Sequence, residues 1–421
     1  MSNKLIETFP DGTKIDEWFY DTPTVDIESL GKKYVVTDYS ILSDGNVYTK
    51  KLQQLIDDIS SNGGGVVVIP KGEFLTGAIW FKQGVNLYLE DGAILKASDN
   101  VADYPVCDTR IEGESCKYFP ALINADGLNG FTICGEGVID GNGENSWKAF
   151  WKRREWNPAC TNKDEQRARL VFISKSSNVT ISNVRLQNSQ FWTCHLYKCS
   201  KVKVLNCSIF APKAPVPAPS SDAIDLDVCS DVLVKGCYME VNDDGVVLKG
   251  GKGPWADQSP DNGINERILV EDCKYGFCHS VLTCGSEAIH NNNVLVRRIK
   301  LDGAWQLLHL KLRPDTPQHY ENIKLEKIDG RLTGSFINAN PWTQFFDLKG
   351  RTDKPISIVE NVIFEDCNVE CEVFFNASRD DDKYKLKNFS LKNVKVLAEN
   401  NYNNFDAVDS VSLQNVIINY K

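Results

Sequence analysis

SDVLVKGCYMEVNDDGVVLK, Ser230 to Lys249, carries two patterns in twenty residues. Its first half alternates apolar Val232 and Val234 with polar or outward neighbours, the period-two signature of a strand. Its second half holds an acidic doublet, Asp243-Asp244, and runs directly into another alternation at Val246 and Leu248. Both halves recur. SSDAIDLD (Ser220 to Asp227) overlays NDDGVVLK at an offset of 22, so Asp222 falls on Asp244, Ile224 on Val246 and Leu226 on Leu248. The first half returns as SNVTISNVRL (from Ser177), SKVKVLNCSI (Ser200), ERILVEDCKY (Glu266), NNVLVRRIKL (Asn292), ENIKLEKIDG (Glu321), ENVIFEDCNV (Glu360), KNFSLKNVKV (Lys387) and DSVSLQNVII (Asp409).

The third residue of each unit sets a register: Val179, Val202, Val232, Ile268, Val294, Ile323, Val362, Phe389 and Val411, spaced 22 to 39 apart. Such spacing with no helical period between strands predicts an all-β solenoid, a right-handed parallel β-helix of about ten coils, rather than βαβ units. One domain is expected over residues 1–421. Its N-terminal segment and capping helix would occupy about 1–65, and its coils about 66–421. Asn46–Ser61 places Leu52, Leu55 and Ile56 at helical spacing before a glycine run, and this helix is expected to cover the open end of the solenoid. Cys207, Cys237, Cys273 and Cys367 each lie five residues after the register residue, where other coils carry Val184, Ile299 or Val394. They read as small buried hydrophobes in an interior ladder, not as disulfide or metal ligands.

Strands in successive coils lie about 4.8 Å apart, so Asp222 and Asp244 would stack, with Asp243 at the same edge. Carboxyls that close cannot all ionise freely, and at least one pKa should rise. One carboxylic acid beside a carboxylate is the equipment of a proton donor and acceptor pair. Asp225 and Asp227 alternate with Ile224 and Leu226 and read as a solvated face. Phe191 and Trp192 suit either a sugar platform or the core. Two excursions, Gly141–Arg169 with Trp147, Trp151, Arg154 and Trp156, and Gly250–Asn265 with Trp255, are long enough to wall a cleft.

A net charge of -10 argues against a nucleic-acid or anionic-membrane partner. No apolar stretch is long enough to span a bilayer, and Met1–Tyr20 lacks the apolar run of a secretion signal.

The order of segments resembles the polygalacturonase family, the family-28 glycoside hydrolases acting on pectin. GGGVVVIPKGEFLTG, GEGVIDGNGENSW and NSQFWTCHLYKCSKVKV match its early coils. SSDAIDLD stands for its NTDGID segment and NDDGVVLKGG for its GDDxIxIKSG segment. Cys278-His279-Ser280 stands for Gly-His-Gly, and His309-Leu310-Lys311 for Arg-Ile-Lys. The resemblance covers about Val35 to Val396. It implies Asp243 as general acid, Asp222 and Asp244 holding and deprotonating water with inversion, and His279 tuning their protonation. It further implies Lys311, beside His309 where the family has arginine, binding a galacturonate carboxylate; Arg313 keeps the parity of Lys311 on a strand and so is expected to reach the same face. No cofactor and no metal are implied. The substrate would be a pectic polysaccharide or oligogalacturonide, attacked from a chain end. Loss of the family's arginine at His309 and of both glycines around His279 bears on substrate identity more than on reaction class. Export, to a secreted or periplasmic location, is expected because intact pectin does not enter cells; an enzyme trimming imported fragments would be cytoplasmic. Two other functions fit the same fold: a polysaccharide lyase or uronate epimerase, and a carbohydrate-binding solenoid without catalysis. Oligomeric state is not encoded in these patterns.

Overall fold

The structure is a computed structural model that describes residues 7–421, so the first six residues of the expected N-terminal segment lie outside the described residues. Twenty-nine strands join one network in which successive coils pair in parallel, a parallel β-helix. The register agrees with the sequence residue for residue. Val179, Val202, Val232, Ile268, Val294, Ile323, Val362, Phe389 and Val411 are paired in turn up the stack. From Val179 to Phe389 their side chains and those two residues on form the interior, where packing supplies the main stabilisation, whereas Leu413 on the last coil is exposed.

Each coil turns at the residue before the register position. Asn178, Lys201, Asp231, Arg267, Asn293, Asn322, Asn361 and Asn388 there all have φ between 54° and 58° or, for Lys201, 53°. Asparagine and aspartate tolerate this left-handed bend, and they predominate at it. Asn322 donates to Asn292, and Asn361 in turn donates to Asn322, so the corner carries a ladder of its own.

The interior thiols lie where expected. All fourteen cysteines are free, and Cys207, Cys237, Cys273 and Cys367 are buried with their sulfurs near strand carbonyls. Helix α1 (Thr49–Ser61) buries Leu52, Leu55, Ile56 and Ile59 against the first strands. The N-terminal segment does more than the sequence suggests. Lys33–Val35 already pairs with Val66–Val68, so coiling starts before residue 66. Phe9, Ile15 and Phe19 strap across Leu205, Leu233, Leu269 and Leu295, on the flank of the middle coils.

Two additions rise from the coils. Helix α2 (Glu144–Trp156) occupies the first excursion, and an antiparallel hairpin, Cys107–Ile111 with Glu114–Tyr118, reaches over the face of the early coils. The hairpin's Ile111 and Tyr118 pack on Phe191 and Trp192.

Candidate active site

The strands Cys194–Tyr197, Ile224–Asp227, Val246–Lys249, Ser280–Cys284, Gln306–Leu312 and Ser335–Pro341 stack as one column. Ile224, Val246, Leu282, Leu308 and Ile337 share a rung position and face the interior, so their neighbours face out. Asp222 and Asp244 lie at the start of this column. The Ala223 amide donates to the Asp244 carbonyl at 2.9 Å and the Ile224 amide to the Gly245 carbonyl at 3.0 Å, which fixes the two acids on adjacent rungs. Gly245 is required by closeness: a Cβ there would lie 2.7 Å from the Tyr275 ring and 2.9 Å from the Ser280 carbonyl. The chain turns just before it, so Asp243 projects beside Asp244 instead of to the opposite face, and the Asp243 carbonyl receives the His279 amide at 2.7 Å.

The acids are sorted by their partners. Asp244 accepts from the Ser280 hydroxyl at 2.9 Å and from the Lys311 ammonium at 2.5 Å. Burial would raise its pKa, but Lys311, with His279 behind it, holds it far below the ordinary carboxylate range. Asp243 lies 3.3 Å from His279 Nδ1; burial again opposes ionisation, and the imidazole overcomes it and holds the acid low. The same pair raises His279 against its own burial. Asp222 goes the other way: burial, then Asp243 and Asp225, push it well above the ordinary value. Among the described residues the cation paired with it is Lys249, 3.7 Å away and shared with Asp225 at 3.8 Å and Glu287 at 3.1 Å. The two stacked acids are therefore biased in opposite directions, Asp222 towards its neutral form and Asp244 towards its anion.

These side chains line a cleft of about 590 Å³. Asp222, Asp243, Asp244, His279, His309 and Lys311 all face it. His309 is kept neutral by burial, which pushes it down to about 3, and its Nδ1 has no partner. Arg313 is a correction. It shares the outward parity of Lys311, but Asp315 two residues on clamps it at 2.7 and 2.6 Å, and its remaining donors hold the Gln344 and Phe345 carbonyls. It braces a loop and does not line the cleft. Asp225 and Asp227 are likewise not solvated: both are fully buried. Asp227 accepts two hydrogen bonds from Arg110 on the hairpin, and burial pushes Asp225, beside Lys249, up to about 7.

The walls also differ from expectation. Trp151 and Arg154 of α2 line the cleft, whereas Trp147 is core and Trp156 points to solvent. Trp255 lies outside it, in a neighbouring depression under the hairpin. The second wall comes instead from Trp305 and the segment Asn338–Gln344, with Trp342 4.8 Å from the Lys311 ammonium. One end is shut by a chain of contacts: Arg154 donates to Asn162 at 2.8 Å, and Asn162 donates to Glu112 at the hairpin tip at 3.1 Å. The hairpin and Lys249 were the functional elements missed. Lys249 was legible, because the same offset of 22 that stacks the acids sets it over Asp227. Asp243, Asp244 and His279 have ligand atoms within 4.8 Å of one another, a spacing that suits a cation, but Lys311 already supplies positive charge at Asp244.

Comparison with known proteins is consistent with this arrangement. Residues 66–367 match the family described as glycosyl hydrolases family 28. A probable polygalacturonase of Vitis vinifera is 28% identical over 247 residues, 56% of this chain and 47% of that protein. An exo-poly-alpha-D-galacturonosidase of Dickeya chrysanthemi is 33% identical over 184 residues, 41% of this chain and 28% of that protein. The chain thus spans about half or less of these relatives' lengths. The exopolygalacturonase of Thermotoga maritima superposes with a TM-score of 0.71 at 21% identity, covering 92% of each chain, and so shares the fold. With the family match spanning well over half of its residues, the chain belongs to glycosyl hydrolases family 28.

Proposed function

We propose that this protein hydrolyses galacturonate-containing glycosidic bonds of pectic chains with inversion, releasing sugars from a chain end. The observation that carries the reading is the acid cluster, in which Asp222 and Asp244 stand on adjacent rungs beside Asp243, itself 3.3 Å from His279, with Asp222 pushed up and Asp244 held down. In this scheme the His279–Asp243 pair delivers its proton to the leaving glycosidic oxygen. Water attacks the anomeric carbon and loses a proton to Asp244, while Asp222 orients it by hydrogen bonding. Lys311 and neutral His309 face the same space and would hold the uronate carboxylate and a hydroxyl. The end closed by Arg154, Asn162 and Glu112 favours a pocket for a terminus over an open groove. Two curated or solved relatives named as exo-acting lend support to that finer point. The same substrate would place the protein where pectic fragments occur, outside the cell or in the periplasm.

A second reading has its own observation: Asp222, not Asp243, is the carboxyl held neutral, and so it is a rival proton donor. Leaving-group dependence separates the two. A galacturonide bearing a 4-nitrophenolate leaving group needs little protonation. Asp243→Asn should lose about 10³-fold on an oligogalacturonide yet keep most of its rate on the activated substrate. Rescue of Asp222→Asn instead would transfer the acid role. Products are followed by NMR for anomeric configuration. Formation of unsaturated, ultraviolet-absorbing products would replace hydrolysis by a lyase, and rapid loss of polymer viscosity with few new ends would replace exo by internal cutting.

A further inference from the structure

We propose a divalent transition-metal site on the coil flank, built from His290, His319 and Glu321 and oriented by Glu360. Stacking creates it. His290 is in register with His319, and Asn292, Glu321 and Glu360 are in register on the same outward face two residues along. The imidazoles of His290 and His319 stack at 5.1 Å and 10°. His290 Nε2 lies 2.8 Å and His319 Nδ1 3.8 Å from the same oxygen of Glu321, and the three ligand atoms fall within 4.8 Å of one another. All three residues are part-exposed, so an ion can enter.

A second observation points to a ligand. His319 Nε2 lies 2.8 Å from Glu360. Donating its Nε2 proton there leaves Nδ1 bare and aimed at Glu321 and His290. This is the carboxylate–histidine–metal relay that fixes tautomer and ring orientation in metal centres. Two imidazoles and a carboxylate suit Zn²⁺, with one position open to water. Tetrahedral ligands at about 2.0–2.1 Å from zinc stand roughly 3.3 Å apart, so occupancy requires the two Glu321 contacts to adjust by about half an ångström and the stacked imidazoles to rotate towards each other. None of these residues lines the cleft, and the ion would staple two successive coils, 290 and 319–321, with Glu360 tying in the next through His319.

The test is titration of the metal-free full chain with zinc chloride by calorimetry, with thermal melting in parallel. One equivalent should bind and raise the melting temperature. His290→Gln and His319→Gln should lose that equivalent while melting like wild type without zinc, and Glu360→Gln should bind 10- to 100-fold more weakly. Cobalt substitution should give ligand-field bands without the intense near-ultraviolet absorption of a thiolate. No binding, or unchanged stoichiometry and affinity in both histidine variants, overturns the site. Such binding would belong to the Asp243–Asp244–His279 group or to the thiols.

Discussion

Lys249→Met removes the one ammonium that Asp222, Asp225 and Glu287 share, at 3.7, 3.8 and 3.1 Å. Of the three acids only Glu287 is held well below the ordinary range; burial opposes this and Lys249 leads what enforces it. At an effective dielectric of about 20 the Lys249–Glu287 attraction is roughly 5 kcal/mol. Part returns because the ammonium no longer has to be desolvated, which leaves a loss of about 3–5 kcal/mol for a broken buried pair. A depressed carboxyl contributes stability that is present above its unfolded pKa, about 4.3, and lost as pH falls through its folded value. The gap between wild type and variant should therefore be widest near pH 7 and narrow as pH drops below about 4. The assay is chemical or thermal unfolding of both proteins from pH 7 to pH 3, with turnover at pH 7 followed in parallel. Turnover should change less than stability, because losing Lys249 only pushes Asp222 further towards the neutral form it already favours. An unfolding midpoint unchanged at pH 7, or a gap independent of pH, would refute the counter-charge role.

Lys311→Ala should damage two things at once, since its ammonium both pairs with Asp244 and faces the cleft. KM for uronates should rise more than for neutral sugars, and kcat should fall about 10²-fold; equal loss on both sugar classes would confine Lys311 to Asp244. Gly113→Val should loosen the closed end, because φ is +73° there and a Cβ would lie 2.8 Å from Glu287 Cβ and 3.1 Å from the Gly251 backbone. Product profiles on long oligogalacturonides should shift from one or two sugars towards longer fragments, and an unchanged profile would remove the hairpin from the closure.

The coil register was legible because the interior is the same problem solved repeatedly. Every coil must offer apolar side chains at two fixed positions, and the ladder from Val179 to Val411 obeys that rule. The corners were not read from the sequence: Asn or Asp precedes most register residues, but Lys201, Arg267 and Ser410 do so elsewhere, and the left-handed φ shows only in the structure. Nor was what lies across loops. Asp227 reads as solvated by alternation, yet Arg110, on a hairpin 117 residues away, folds over it. Arg313 failed for a local reason: parity gave its face correctly, but Asp315 is nearer than any substrate. Alternation reports direction only, and burial on the outward face depends on excursions whose own fold has no period.

Asp222 and Asp244 share a ladder, a residue type and near-complete burial, yet their pKa values are pushed in opposite directions. Cation distance accounts for the difference. Lys311 stands 2.5 Å from Asp244 in direct ion-pair contact, whereas Lys249 stands 3.7 Å from Asp222 and is shared among three acids. At a dielectric of about 20 that is roughly 6.6 against 4.5 kcal/mol before the sharing is counted. The sorting has a chemical use: a neutral Asp222 can stand one rung from Asp244 without repelling its charge, and still donate a hydrogen bond to water. Asparagine mimics the neutral acid but not the base. Asp222→Asn should therefore retain turnover within about tenfold to a hundredfold at neutral pH, whereas Asp244→Asn should lose at least 10³-fold. If Asp222→Asn is as inactive as Asp244→Asn on both ordinary and activated substrates, Asp222 must work as an anion and the sorting is not part of the mechanism.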